Sequence, residues 1–383
     1  MKLIHDVKYF NKKEILKRAE LYEFPNPLAV EIFLWDCELA SNFQEICNEI
    51  ILKGGAAVQL HLPLRMQRGS VDIDLLAPLD EANIADIIKK LDDSLGETMR
   101  FKLHKPRKPT INIPMITYFA NIPTVLNLGK RESLEIKIDI LLEKLDLPTV
   151  QFENVQTFAV DVKSMKCFTP GVTIGDKILT LAKGSVGMEL ESDYPKQIYD
   201  LDALVSSSTF SDKTISDILK SIKKFTELEA GYRTIETSPV EALCDIITTM
   251  NEYSIIDTSG GNDTIKKDIE SFQQFFVSKN QRSPLYGWSS KSLKIKFLAN
   301  LVKAHIENDI SETAVANAIN KSKEIALKLN EISGESVKKI RKQLLDLAEV
   351  RIPFFKELRG KSLNRVFWQI LSPNNLNDVE SII

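Results

Sequence analysis

Apolar and polar positions alternate along this chain with two distinct periods, and the change between them divides it. Helical spacing runs through residues 12–23 and 26–50, the second stretch starting after Asn26-Pro27. Asp80, ahead of Glu81-Ala-Asn-Ile-Ala-Asp-Ile-Ile, predicts an N-cap for a helix reaching about Leu95. Between these, Val71, Ile73 and Leu75 alternate with Asp72 and Asp74, the period-two signature of a strand. Short strand-like runs over 99–126 are punctuated by Pro106, Pro109, Pro114 and Pro123, and a clean alternation fills 134–142. From about residue 174 the pattern is helical: 174–184, 195–207, 212–230, 239–253, 263–279, 291–307, 311–331 and 335–349. Asp257-Thr-Ser-Gly-Gly261-Asn-Asp263 is the clearest linker, with Asp263 the expected cap of the helix after it. Helix, Gly-Gly, strand, helix and strands followed by helices alone predict an α+β chain: a mixed sheet flanked by helices over 1–208, then an all-helical domain over 209–383.

Composition narrows the class. At 383 residues, 43% hydrophobic and 27% charged, the chain has the make-up of an ordinary globular protein of two or three cores. No apolar run approaches the roughly 18 residues of a membrane span, and the N-terminus lacks the apolar core of a signal peptide, so a cytoplasmic location with no membrane partner is expected. Cys37, Cys47, Cys167 and Cys244 are scattered without paired spacing, which argues against a disulfide framework or structural zinc and for small core residues. Four histidines, none within ligand spacing of another on one element, make histidine-rich metal chemistry an unpromising reading. The net charge of −3 hides an asymmetry: Leu285 to Arg365 holds 16 Lys and Arg against 9 Asp and Glu, a net of +7, leaving −10 for the rest. A basic module beside an acidic one suggests that the first holds a polyanion for the second. In the tail, Lys338-Lys339-Ile-Arg341-Lys342 and Arg351 to Lys361 set basic residues beside aromatics, which suits an unpaired nucleic acid; Phe354, Phe355, Phe367 and Trp368 read equally well as core.

The chemistry concentrates in residues 51–75. Gly54-Gly55 lets the backbone approach a ligand closely and adopt positive φ, and Ala56 to Leu60 can open a helix whose unpaired N–H groups would meet a phosphate. Arg68 and Ser70 precede the strand and offer a guanidinium fork and a hydroxyl to phosphate oxygens. Asp72 and Asp74 share one strand face about 6 to 7 Å apart. Their repulsion is relieved by a divalent cation, and Mg²⁺ is the hard cation that combines one or two carboxylates with substrate phosphates.

The string Lys53-Gly54-Gly55-Ala56-Ala57-Val58 followed by Arg68-x-Ser70-x-Asp72-Ile73-Asp74-Leu75 closely resembles the AbiEii family of nucleotidyltransferase toxins, within the DNA polymerase β-like superfamily. The motif resemblance covers roughly residues 28–205. It implies a polymerase β-like N-terminal domain, a helical C-terminal part and a companion antitoxin. It also implies a third acid on an adjacent strand, and Leu134-Glu-Ile-Lys137-Ile-Asp139 supplies Asp139. The family's helical lysine and following acidic pattern match Lys177 and Asp200, with Asp202 pointing elsewhere around the helix. The chain departs from the pattern at Ala56, where a hydroxyl is usual, at Gln197, where an acid is usual, and at Lys196, where Arg is common.

These readings converge on transfer of a nucleoside monophosphate from an NTP to RNA, tRNA first among acceptors, with an antitoxin restraining the enzyme. Two Mg²⁺ ions are expected, Asp72 and Asp74 meeting both and Asp139 the one that activates the acceptor hydroxyl. Gly54, Gly55, Arg68, Ser70 and Lys177 would hold the triphosphate, and Asp200 would orient Lys177 or meet the ribose or base. A protein or small-molecule acceptor, or a catalytically silent nucleic-acid-binding module, are the rival readings.

Overall fold

The computed structural model describes residues 3–96, 99–104, 113–128, 131–307, 310–347 and 355–383. Two compact units emerge, Met1–Thr173 with Phe272–Arg282, and Ile174–Ser271 with Ser283–Ile383.

The first unit is built on a seven-stranded sheet ordered β3-β4-β5-β2-β1-β7-β6. Its elements run α1 (Lys12–Leu21), α2 (Pro27–Ile46), β1 (Ile51–Lys53), α3 (Gly54–His61), β2 (Asp72–Leu76), α4 (Glu81–Leu95), β3 (Arg100–Leu103), β4 (Met115–Leu128), β5 (Arg131–Leu141), β6 (Thr149–Gln156) and β7 (Asp161–Phe168), ending in α5 (Pro170–Leu179). The sheet is mixed: β2 pairs parallel with β5 and β1 with β7, while the remaining neighbours are antiparallel. This is the α+β architecture expected from the pattern. Asn26 and Asp80 cap α2 and α4 through side-chain oxygens, as their positions ahead of apolar helical runs require. Phe33, Leu39 and Phe43 of α2 join Ile73 and Leu75 of β2 and Ile136, Ile138 and Ile140 of β5 in one core cluster. The alternation in β2 and β5 is thereby explained, since their apolar face is consumed by packing.

Three expectations change. The helix expected to 50 stops at Ile46, and Ile51–Lys53 is a central strand. Three residues cannot display a period, and only the ladders to β2 and β7 make them a strand. The β6–β7 hairpin was not expected at all; β6 alternates between exposed and half-buried positions, so its apolar signal is weak. The runs over 99–126 resolve into β3 and the long β4, with Pro123 at a register shift; Pro106 and Pro109 lie outside the described residues.

The second unit is helical. It holds the end of α5, then α6 (Tyr194–Ser207), α7 (Asp212–Arg233), α8 (Pro239–Ser254), the start of α9 (Asp263–Phe276), α10 (Leu285–Ile306), α11 (Glu312–Glu331), α12 (Glu335–Leu347), α13 (Phe355–Leu358), α14 (Leu363–Ile370) and α15 (Leu376–Ile382). Capping boxes at Ser211/Thr214 and Ser238/Glu241 start α7 and α8. Asn262, not Asp263, caps α9, its Oδ1 accepting from Thr264 N. The compact units divide at 173/174, whereas the pattern suggested 208/209. The reason is that α6 packs with the helices after it, Asp202 bonding Lys291 and Lys294 of α10. Residues 272–282 instead return to the sheet unit, where Phe276 O accepts from Gly69 N and Glu23 O from Lys279 N.

Phe367 and Trp368 are buried, the core alternative of the two weighed for the tail aromatics, while Arg351 and Phe354 lie outside the described residues. Cys37 and Cys167 are core residues, but Cys244 is exposed on α8. No helix among the described residues is long and apolar enough to cross a membrane.

Candidate active site

The short strand β1 delivers its chain directly into the Gly-Gly turn. Lys53 is extended, Gly54 takes φ +69°, and α3 begins at that residue. In the β1–β2 ladder Lys53 is the Cα partner of Asp74, so Asp74 comes to lie against the turn. A Cβ added to Gly54 would fall 1.8 Å from Asp74 Oδ2, which only a residue without a side chain allows. A Cβ on Gly55 would stand 3.1 Å from Ser70 Oγ and 3.2 Å from Arg68 Nη2. The first turn of α3 is thus bordered by Asp74, Ser70 and Arg68. The structure brings Gly54, Gly55, Arg68 and Ser70 together, four of the residues that sequence reasoning gave to the triphosphate.

A buried polar frame holds the loop that carries Arg68 and Ser70. Gln59 Oε1 accepts from Arg68 N at 2.8 Å, and Gln67 Nε2 donates to the Gln59 and Leu62 carbonyls at 3.0 Å each. Gln67 Oε1 in turn accepts from Phe158 N. Arg68 is 3% exposed, donates from Nη1 to Gly69 O, and lies over the Phe272 ring at 5.8 Å. Burying these groups demands partners for each, and Gln59 and Gln67 supply them. Sequence reading missed both, because a single glutamine, whether between Val58 and Leu60 or between Met66 and Arg68, carries no periodic signal. Ala56, where a hydroxyl is usual, is buried in the core cluster.

On the sheet, the parallel register of β2 and β5 pairs Asp74 with Asp139 and Asp72 with Lys137. Asp139 Oδ1 accepts from Thr117 Oγ1 of β4 at 2.6 Å, and Lys137 Nζ lies 2.7 Å from its other oxygen. Burial works against the charge on Lys137, but the Asp139 hydrogen bond and the fields of Asp139, Asp72 and Asp74 outweigh it and raise its pKa. The sequence placed Lys137 on this face without giving it a role. In the structure it is a cation that offsets these carboxylates.

A fourth acid belongs to this neighbourhood. Asp36 of α2 is fully buried, and among the described residues neither of its oxygens accepts a hydrogen bond. Burial first, then the negative fields of Asp72 and Asp74, drive its pKa well above the ordinary carboxylate value. A lone Asp inside an amphipathic helix pattern gave no hint of this. The Asp72 and Asp74 carboxylates thus reach Asp36 with a negative field that adds to the effect of burial.

Asp72 and Asp74 of β2 with Asp139 of β5, in register with Asp74, offer hard oxygen donors of the type Mg²⁺ takes together with substrate phosphate. Among the described residues no three His, Cys, Asp or Glu side chains close around one point, and Lys137 occupies one oxygen of Asp139. The donor chemistry therefore fits a divalent cation.

In the helical unit Lys177 stands in the last turn of α5, correcting the expectation of a first-turn lysine; the helix begins four residues earlier than its periodicity suggested, at Pro170. Lys177 is 5% exposed, 3.0 Å from the fully buried Asp200 and donating to Gln197 Oε1 at 2.8 Å. Gln197 thus accepts the hydrogen bond that an acid would otherwise accept, without adding a second buried charge beside Asp200. Lys196 pairs with Asp193 at 2.8 Å. Asp202 turns away as expected, to Lys291 and Lys294 at 2.6 Å each.

In the mixed sheet a glycine turn thus meets carboxylates aligned on adjacent parallel strands. Residues 39–282 match the family described as "Nucleotidyl transferase AbiEii toxin, Type IV TA system", and the chain belongs to that family. It is therefore an enzyme of the nucleotidyltransferase class and the toxin of a toxin-antitoxin pair, with an NTP as substrate and an antitoxin as partner. Among solved structures it is similar to an antigenic nucleotidyltransferase-like protein from Paracoccidioides brasiliensis, at 12% identity and a TM-score of 0.35, over 51% of this chain and 88% of that one. No curated protein matches it.

Proposed function

We propose that this toxin is an Mg²⁺-dependent nucleotidyltransferase that moves a nucleoside monophosphate from an NTP to an RNA acceptor, tRNA first among candidates, in the cytoplasm. The observation that carries the reading is the register of Asp74 with Asp139, beside Asp72, against the Gly54 backbone. Asp72, Asp74 and Asp139 would hold the metal. When bound, Mg²⁺ supplies charge neutralisation at the reacting phosphate and lowers the pKa of a coordinated hydroxyl.

The chain's own groups divide the remaining work. The N–H groups at the start of α3 and the Arg68 and Ser70 donors receive phosphate oxygens, oriented before the substrate arrives by the Gln59 and Gln67 frame. Lys177, fixed by Asp200 and Gln197, adds a point charge for the triphosphate. Thr117 holds Asp139 in one rotamer, leaving its carboxylate to orient the acceptor hydroxyl and to take up its proton. In-line attack of that hydroxyl on the α-phosphorus releases pyrophosphate. The excess of lysine and arginine over 285–365 supports a polyanionic acceptor over a small neutral one.

The test incubates purified protein with Mg²⁺, total bacterial tRNA and each α-labelled NTP in turn, beside Asp72→Ala/Asp74→Ala. Label on RNA with one NTP, absent in the variant and with EDTA, is the expected result. Label on protein alone would replace the RNA acceptor by a protein one, and no transfer with any NTP would sink the reading.

A further inference from the structure

A second cationic site lies in the helical unit, apart from the carboxylates. Between α6, α10, α11 and α14 a cavity of about 480 Å³ opens, lined by Asp202, Lys291, Lys294, Lys323, Tyr286 and Trp368. Its volume falls in the range of small-molecule sites, roughly 300 to 1,000 Å³. Asp202 pairs with both Lys291 and Lys294, yet one carboxylate neutralises one ammonium. With Lys323 the lining keeps a net charge of +2. These are not solvated surface lysines: the Lys291 and Lys294 side chains are each 17% exposed. Lys323 donates to the Ser208 carbonyl, and burial together with the Lys294 charge holds its pKa below the ordinary value.

Concentrating positive charge in a partly dry pocket is costly unless an anion enters it. The lining also states which anion. Tyr286 is 51% exposed, an aromatic face offered at the cavity where a planar ring can stack. Asn364 Nδ2 donates to Asn330 Oδ1 and to the Ala326 carbonyl, which leaves the Asn364 amide oxygen and the Asn330 amide nitrogen of the same lining as acceptor and donor suited to base edges. Inorganic phosphate would use the lysines and ignore the ring.

We propose that this cavity binds the phosphate of a nucleotide, free or as one residue of a single-stranded RNA, on Lys291, Lys294 and Lys323, with its base stacked on Tyr286. Most of these residues lie beyond the 39–282 stretch that matches the family. The site stands without the RNA-acceptor reading above; in its RNA form it rests on that reading and provides the acceptor's anchoring point.

The full chain is titrated in EDTA with UMP and AMP, and separately with fluorescein-labelled single-stranded U8 and A8 RNA. Lys323→Gln, Tyr286→Ala and the triple Asp202→Asn/Lys291→Met/Lys294→Met, which removes one net positive charge without leaving a buried carboxylate unpaired, are compared, each also in an Asp72→Ala/Asp74→Ala background that takes the donor site out of play. Lys323→Gln and Tyr286→Ala should each weaken binding about five- to tenfold. Loss confined to the RNA probes, with a steep salt dependence, assigns a strand; equal loss for mononucleotides assigns a free nucleotide; both support the site. Wild-type protein binding neither probe at millimolar concentration, or neither single variant changing affinity more than twofold, overturns it. Failure of the acceptor reading is seen separately, as absent label transfer by a chain that still binds UMP.

Discussion

Gly54→Ala should disable the enzyme and destabilise the sheet unit together. Two costs follow from the geometry. At φ +69° an alanine pays the left-handed penalty, about 1 to 2 kcal/mol. Its Cβ would also lie 1.8 Å from Asp74 Oδ2 and 2.8 Å from Asp74 Cβ, so the far end of the carboxylate cannot simply swing aside. Relieving that overlap adds about 1 to 3 kcal/mol. For a unit of this size the sum lowers the melting temperature by about 5 to 15 °C. Displacing Asp74 by even 1 Å costs on the order of a hundredfold in rate or more. Gly55→Ala is the internal control. Its φ is ordinary and its added Cβ would meet only side-chain ends, Ser70 Oγ and Arg68 Nη2, at 3.1 and 3.2 Å. Improved helix propensity of about 1 kcal/mol offsets that crowding, so stability should stay near wild type while transfer falls about tenfold. Scanning calorimetry and label-transfer rates on both variants make the comparison. Equal melting temperatures for the two, or Gly54→Ala transfer within twofold of wild type, would refute the argument.

Lys177→Met strips the ammonium from the fully buried Asp200 and should cost about 3 to 5 kcal/mol by chemical denaturation, largely restored by adding Asp200→Asn; a single-variant cost below about 1 kcal/mol would contradict the pairing. Burial of the His61 ring lowers its pKa from 6.5 to about 4. The unfolded chain therefore takes up a proton first as pH falls, and stability present above pH 6.5 is lost toward pH 4, by at most about 3 kcal/mol. His61→Gln should flatten that slope in denaturation curves taken across the interval, and an unchanged slope would reject the assignment. Mg²⁺ with a non-hydrolysable NTP at a hundredfold over Kd should stabilise the protein by about 2.7 kcal/mol, an increment that Asp72→Ala/Asp74→Ala abolishes if those carboxylates hold the metal.

The sequence by itself determined whatever is local and periodic. Alternation in 71–75 and 134–141 was enough to put Asp72 with Asp74, and Lys137 with Asp139, on common strand faces, because the pleat leaves no other arrangement once the apolar partners are buried. The capped helices α2 and α4 and the helical second half were legible for the same reason. Gly54-Gly55 announced a close backbone approach, though not what would be approached. Tertiary structure decided the rest. The three-residue β1 exists only through its two ladders, and those ladders bring Asp74 onto Gly54. Register between β2 and β5, set by packing of residues more than sixty positions apart, aligns Asp74 with Asp139. Gln59, Gln67 and Asp36 carried no pattern, since a polar residue becomes meaningful only when burial strips its water and leaves a partner or a field in its place. Lys291, Lys294 and Lys323 were only part of the lysine and arginine excess over 285–365 until α10 and α11 brought them to one cavity.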